Sequence, residues 1–349
     1  MNRTIWHEAG NYREKLVDGT SAWHKANDVH LKTSLNDSGQ LDLNIPPSNP
    51  EAEMLCAMAS ELVIYEDDVE LFRGRVTGNE RDTYGFRRVS AKGVLDYLHD
   101  TILPIGTYSG TSRKVINDII WEHSAKPIEA WKKFNLGTIN VPGTITIEVK
   151  SQMTCWDAIK QLVKDYKGYV SAYRANGINI IDWVEDITHV CSQPIQIGSN
   201  IVSIKDAIKT ESLCTVMYGY GKNNLTFSND GKKYVKDDVA VAAFGWIEGV
   251  YQNSSCEDAA QLLADTTKAL HERIADVRNV ELKAADLADI RDDAERLQVG
   301  YMVPCRLPGS DIDEELRLKD LDWYPFEPKR TTMSVGASMK TLTNLIGGR

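Results

Sequence analysis

Residues 154–183 read TCWDAIKQLVKDYKGYVSAYRANGINIIDW. Thr154 stands where an N-cap residue would, and Asp157 is placed like the acid of a capping box. Trp156, Ile159, Leu162, Val163 and Tyr166 then recur at helical spacing on one side, the pattern of an amphipathic helix. Gly168 follows as a helix stop. Two β-type runs come next and flank Asn176-Gly177, the dipeptide that most strongly signals a tight hairpin. A helix leading straight into a hairpin predicts a compact α+β unit.

Working outward, Thr111 or Ser112 caps a second predicted helix, whose stripe is Val115, Ile116, Ile119 and Ile120. Together these place an α+β domain at 101–195. The first hundred residues read mainly as β. ELVIYEDDVELFRGRV (61–76) holds two β-rich runs joined at Glu66-Asp67-Asp68, and YGFRRVSAKG (84–93) is a third run after turn residues at Gly78-Asn79. Pro46, Pro47 and Pro50 mark a loop, and EAEMLCAMA (51–59) is compatible with a short helix. Beyond 195, strands are expected near Ile201–Ile204, Leu213–Tyr218 and Val239–Ile247. A long helix capped by Ser254 or Ser255 follows, with Glu257 and Asp258 in its first turn. Strand character returns at Tyr301–Leu307 and Leu316–Trp323, and the tail SVGASMKTLTNLIGGR (334–349) is expected to fray.

The chain has 349 residues, 42% hydrophobic and 26% charged, with a net charge of −10. That balance argues against a dedicated nucleic-acid binder, which shows a basic face. No signal peptide is visible and the longest apolar run, Val239 to Ile247, is far short of a membrane helix, so a soluble chain is expected. Six widely spaced cysteines suit a reduced interior better than a disulfide framework.

The candidate chemistry is weak at each place where it could sit. TVMYGYGK (215–222) has glycines after a β-type run, but Val216, Asn223 and Asn224 stand where a P-loop or dinucleotide fingerprint needs glycine or a hydroxyl. The polar NNLTFSNDGKKYV that follows offers no helix for a phosphate to sit on, and Asn229-Asp230-Gly231 reads as a turn. His7, His24, His30, His99, His123, His189 and His271 show no H-E-x-x-H pair; His24 and His30 with Asp28 could meet on a loop, though isolated histidines are the better reading. DIDEEL (311–316) lacks the glycine and the glutamate of a calcium loop and reads as a solvated hairpin tip. There is no G-x-S-x-G elbow. The eight tryptophans are evenly scattered, which suits core and interface anchors. No catalytic, cofactor-binding or metal-binding residue is singled out, no cofactor is implied, and the chain does not read as an enzyme.

The order of features carries more than any one of them. VELFRGRVTG (69–78), AKGVLDYLHDT (91–101), the block at 154–183, QPIQIGSNIVSIKDAIKTESLCTVMYGYGK (193–222, with Gly198 and Asn200) and ELKAADLADIRDDAERLQVGYMVPCRLPG (281–309, with Asp286, Leu287, Gly300, Val303 and Pro308) resemble, in sequence order, a family of phage and prophage tail proteins. This is the tail-endopeptidase or tail-associated lysin N-terminal family, which forms baseplate hubs and is similar to the spike hubs of contractile phages and type VI secretion. The resemblance implies a mainly β, α+β fold with two β-barrel-like hub domains, at 1–100 and at 196–253 plus 300–349, separated by α+β pieces at 101–195 and 254–299. It further implies a homotrimer whose six barrels form a ring continuing the tail tube, in a virion tail tip assembled in the bacterial host cytoplasm. The implied partners are a distal tail protein, the tail tube or a tape-measure protein, with DNA passing through without specific binding. Longer members append peptidase or sugar-binding modules, whereas this sequence stops at Arg349, so a structural role is expected. The alternatives are a tail-associated cell-wall hydrolase and a carbohydrate-binding adhesin.

Overall fold

The computed structural model describes residues 2–208, 212–275, 278–307 and 312–336. The fold is α+β and mainly β. Among the described residues, thirteen strands share one sheet. Its N-terminal part runs from strand Tyr12–Asp18 through Arg3–Ala9, Glu61–Glu66, Val69–Arg81, Arg87–Gly93 and Gln40–Ile45 to Asn27–Ser34. Strand Asn27–Ser34 then pairs antiparallel with Ile312–Trp323, Leu31 opposite Trp323 and Ser34 opposite Asp320. Thr332–Gly336, Arg278–Ala284 and Ile201–Ile208 continue the path, while Met302–Leu307 pairs with Ile312–Trp323 and with Ile195–Gln196.

Among the described residues no closed barrel is found. The pairing of Asn27–Ser34 with Ile312–Trp323 joins the N-terminal and C-terminal strands into one sheet. Among the described residues its end strands, Tyr12–Asp18 and Ile201–Ile208, each pair on one side. One apolar core lies under this sheet, from Ile5, Leu41 and Leu62 on the N-terminal side to Val303, Leu318 and Val335 on the C-terminal side.

The block at 154–183 forms as its sequence predicts. Helix α1 spans Ser112–Ser124, capped by the Thr111 side chain. Helix α2 spans Cys155–Tyr166; the Thr154 hydroxyl oxygen accepts from the Asp157 N–H at 3.1 Å and its O–H donates to the Asp157 carboxylate at 2.7 Å. Both apolar stripes meet strands Tyr169–Ala175 and Ile178–Val184 in a second core containing Trp156 and Trp183. Asn176 and Gly177 take φ of +52° and +78° between those strands, as a two-residue hairpin demands. Asp67 and Asp68 (φ +44° and +71°) turn the first hairpin in the same way.

A third core is built by helix α3 (Asp238–Phe244), helix α4 (Ala259–Ala275) and a small sheet of Tyr234–Lys236, Val216–Tyr220 and Glu248–Gln252. Several expectations fail here for local reasons. Val239–Ile247 is largely helix α3 rather than a strand: the Asp237 side chain caps the Ala240 N–H at 2.8 Å, and Gly245 (φ +83°) ends the helix after an alanine-rich turn. Helix α4 starts at Ala259, later than Ser254 or Ser255; Asp258 accepts from the Ala260 N–H at 2.8 Å and acts as the cap. In the large sheet, Gly78-Asn79 lies inside strand Val69–Arg81 at a register shift, and the turn falls at 82–85, where the Asp82 carboxylate accepts from Tyr84 N–H and Phe86 N–H. Residues 51–59 form turns, with Met58 at φ +67°, in place of a helix. Pro308, Asp311 and residues 337–349 of the tail lie outside the described residues.

Candidate functional site: two polar clusters and a charged seam

The TVMYGYGK glycines serve packing. Gly219 faces helix α4, where a Cβ would stand 2.1 Å from Thr266 Oγ1, and a Cβ on Gly221 would meet the Cys256 carbonyl oxygen at 2.6 Å. At these two positions the backbone lies so close to helix α4 and to the 253–256 turn that no Cβ fits. Asn229-Asp230-Gly231 is a tight turn, with Asp230 and Gly231 at φ +50° and +78°.

Sequence reasoning missed a cluster that the fold assembles from three distant places. His7 Nε2 lies 2.8 Å from Ser60 Oγ, and His7 Nδ1 lies 3.1 Å from Glu51 Oε2. With Nδ1–H donating to the carboxylate, Nε2 accepts from the serine hydroxyl, which is the polarity of nucleophile, base and orienting acid in serine hydrolases. Its surroundings are those of a structural pin. Ser60 is 0% and His7 1% exposed, so a scissile carbonyl has no approach. Ser60 Oγ also accepts from the Cys56 N–H at 3.0 Å, and the Tyr12 O–H donates to Glu51 at 2.8 and 2.9 Å. Burial and then Glu51 push the Tyr12 phenol up to about 12. His7 could have been placed inside from its period-two relation to Ile5 on one strand; nothing local marks Glu51 or Ser60 as its partners.

The other histidines under consideration stay apart. His24 Nδ1 meets Ser21 Oγ at 2.9 Å, His30 stacks on Tyr324, and the Asp28 carboxylate accepts from Arg330. Among the described residues no three His, Cys, Asp or Glu side chains gather as a metal would require. Asp313 and Glu315 of DIDEEL sit within strand Ile312–Trp323. Five cysteines are buried and Cys56 is exposed; burial pushes the Cys191 and Cys305 thiols up to about 11 and about 12, away from the reactive thiolate.

The segment DLADIRDDAERL (286–297) divides its acids. Asp292 and Asp293 face solvent, whereas the Asp286 and Asp289 carboxylates are buried in a seam between the N-terminal and C-terminal strands. Arg3 donates to Glu66 and to Asp289, both at 2.7 Å. Arg296 donates to Glu66 at 2.7 Å, Asp289 at 2.9 Å and Asp286 at 3.3 Å. Both guanidinium groups lie over the Trp323 ring, whose Nε1–H donates to Asp289. Burial raises the Asp286 pKa, while Gln193 and Arg296 oppose that rise. Farther along the sheet, Glu61 accepts from Arg73, Arg174 and Tyr97, tying hairpin 169–184 to the large sheet.

The second polar cluster is open. On the face of the small sheet away from helix α4, the Tyr218 and Tyr234 rings lie 5.6 Å apart, and Trp246 meets Tyr234 edge-on at 5.4 Å. Glu248 Oε1 accepts from Trp246 Nε1–H at 3.0 Å and from the Tyr218 O–H at 3.2 Å. Elsewhere a cleft of about 720 Å³ between helices α2 and α4 and strand Ile312–Trp323 is lined by Lys160, Lys164, Lys167, Lys268 and Arg317 together with Glu272, which pairs with Lys167 at 2.9 Å.

Over nearly its whole length the chain has the fold of solved phage tail proteins. The 43 kDa tail protein of prophage MuSo2 from Shewanella oneidensis is 12% identical, with 97% of this chain and 99% of that one covered at a TM-score of 0.69. A tail protein from Neisseria meningitidis is 13% identical, with 99% of each chain covered at 0.66. Prophage tail protein gp18 from Listeria monocytogenes is 15% identical, with 99% of this chain and 97% of that one covered at 0.64. Residues 190–346 match the prophage endopeptidase tail family. That segment match and the shared fold fit the phage and prophage tail family that the sequence landmarks resemble. No curated protein matches the sequence. Among the described residues no helix is long and apolar enough to cross a membrane.

Proposed function

We propose that this chain is a structural hub protein of a phage or prophage tail tip, acting as a homotrimeric ring that continues the tail tube and lets DNA pass. The observation that carries the reading is the tail-family match at 190–346 within a fold shared, from end to end, with prophage tail proteins. The large sheet supports a ring role, because among the described residues its end strands each pair on one side only, and such an edge is a template for pairing with another chain. In this reading residues 1–100 carry the first hub domain, 101–195 the α+β domain, and a distal tail protein, the tube or a tape-measure protein sits against the ring. Passage without holding suits a net charge of −10 per chain, since each phosphate contact would add sequence-independent affinity.

This reading assigns no hydrolysis to the chain; in its support, the row of Ser60, His7 and Glu51 is buried away from any substrate. Light scattering of the purified protein over a concentration series tests the assembly, with a trimer expected to appear as concentration rises. A monomer at every concentration, with the tube partner present, overturns it.

A further inference from the structure

The open face of the small sheet has the makings of a binding site. Along strand Val216–Tyr220, Met217 and Gly219 turn toward helix α4, and alternation sends Tyr218 to the other side. Strand Glu248–Gln252 places Glu248 and Val250 on that side, and Gly245 (φ +83°) swings the chain so that Trp246 closes one end. Trp246 is 50% and Val250 55% exposed. Three aromatic rings and a carboxylate thus meet at the surface from stretches that the scattered tryptophans of the sequence did not connect.

We infer that Trp246, Tyr234, Tyr218 and Glu248 bind a neutral glycan of β-linked pyranoses. Aromatic rings present a wide apolar body with an electron-rich face, which suits the C–H faces of an all-equatorial sugar. Glu248 supplies the polar half. Its Oε1 is held by the Trp246 and Tyr218 donors, so the carboxylate is oriented before any ligand arrives, which lowers the ordering cost of binding. Oε2 takes no donor among the described residues and faces solvent, ready to accept from a sugar hydroxyl or acetamido N–H in a charge-assisted bond. The local charge is balanced: Asp238 is paired with Lys236, and Lys232 Nζ stands 5.9 Å from the Tyr234 ring centroid opposite the single carboxylate of Glu248, which suits a neutral ligand. A protein chain laid flat over this face would strand the second carboxylate oxygen unless it brought a donor, whereas a glycan brings donors along its whole edge. The site lies within one chain, so it does not depend on the ring.

Isothermal titration of the full-length protein with a tetramer of β-1,4-linked N-acetylglucosamine, and separately with a β-1,4-glucose tetramer, tests the site. Saturable binding to at least one is expected. Trp246→Ala should weaken it roughly tenfold or more, Trp246→Phe less, because it keeps a ring and loses the N–H, and Glu248→Gln several-fold. Trp23→Ala, which removes a tryptophan that is 65% exposed elsewhere, should leave affinity unchanged. Circular dichroism of each variant confirms that the fold is kept. Absence of saturable binding to both oligomers overturns the inference, as does binding that Trp246→Ala leaves intact. So does a Trp246→Ala protein that loses a co-purifying tail protein while the wild type ignores both sugars.

Discussion

The row of Ser60, His7 and Glu51 and the row of Tyr218, Glu248 and Trp246 are both hydrogen-bonded chains of side chains able to do chemistry, and they differ in what can reach them. In the first, every polar atom is turned inward: Cys56 N–H occupies the serine, Tyr12 occupies the glutamate, and no part of Ser60 is exposed. In the second, the internal bonds use one oxygen of Glu248 and leave the other, with half of the Trp246 surface, to solvent. A catalytic pattern of residue types is thus compatible with a purely structural task, and accessibility decides between them. A third polar system, the seam of Arg3, Arg296, Glu66, Asp286 and Asp289, lies at the structural extreme, with two cations and three carboxylates withdrawn from water to tie segment 286–296 to the N-terminal strands.

The largest effect is expected at that seam. Arg296→Ala leaves Asp286 and Asp289 buried beside Glu66 with half of their counter-charge removed, and breaking a buried pair in this way costs about 3–5 kcal/mol. Urea unfolding of the variant should show that loss; a change within the error of the measurement would mean that the seam is solvated or replaceable. At the sealed row, Ser60→Ala leaves His7 Nε2 and the Cys56 N–H without their partner, at about 1–3 kcal/mol. The same protein should take up no label from a fluorophosphonate reagent before or after mutation. Labelling of wild type that Ser60→Ala abolishes would turn the pin into a nucleophile and break the contrast.

A smaller effect concerns His123, buried in the second core. Its Nε2–H donates to the Lys132 carbonyl at 3.0 Å, leaving Nδ1 to accept from the Thr101 hydroxyl at 2.7 Å. Burial lowers its pKa, with the Lys132 carbonyl opposing. A folded pKa below the unfolded value of about 6.5 means that the unfolded chain takes up a proton first. The stability contributed is therefore full above about pH 6.5 and declines as pH falls below it. Wild-type protein should lose more stability between pH 7.5 and pH 5.5 than His123→Asn does, by the shift in urea midpoint; parallel losses would place His123 in contact with water.

What could be read from the sequence was local. The block at 154–183 was legible because a cap, an apolar stripe, a stop glycine and an Asn-Gly turn lie within one stretch and agree, and Asp67-Asp68 was legible for the same reason. Val239–Ile247 was not: a run of five small and β-branched residues suits strand or helix, and the Asp237 cap decides. The joining of Asn27–Ser34 to Ile312–Trp323 rests on partners nearly three hundred residues apart, and no local signal marks it. The clusters follow the same logic. His7, Glu51 and Ser60 come from separate loops and strands, and Trp246 gains its meaning from Tyr234 and Tyr218, which a count of scattered tryptophans does not reveal.

The central claim is that this fold serves as one subunit of a tail ring. Single-particle electron microscopy of the purified protein at high concentration, alone and with its tube neighbour, tests it most directly. The account predicts class averages of a ring with threefold symmetry and an open centre. Particles that remain single chains under both conditions, or that assemble without a central opening, would contradict it.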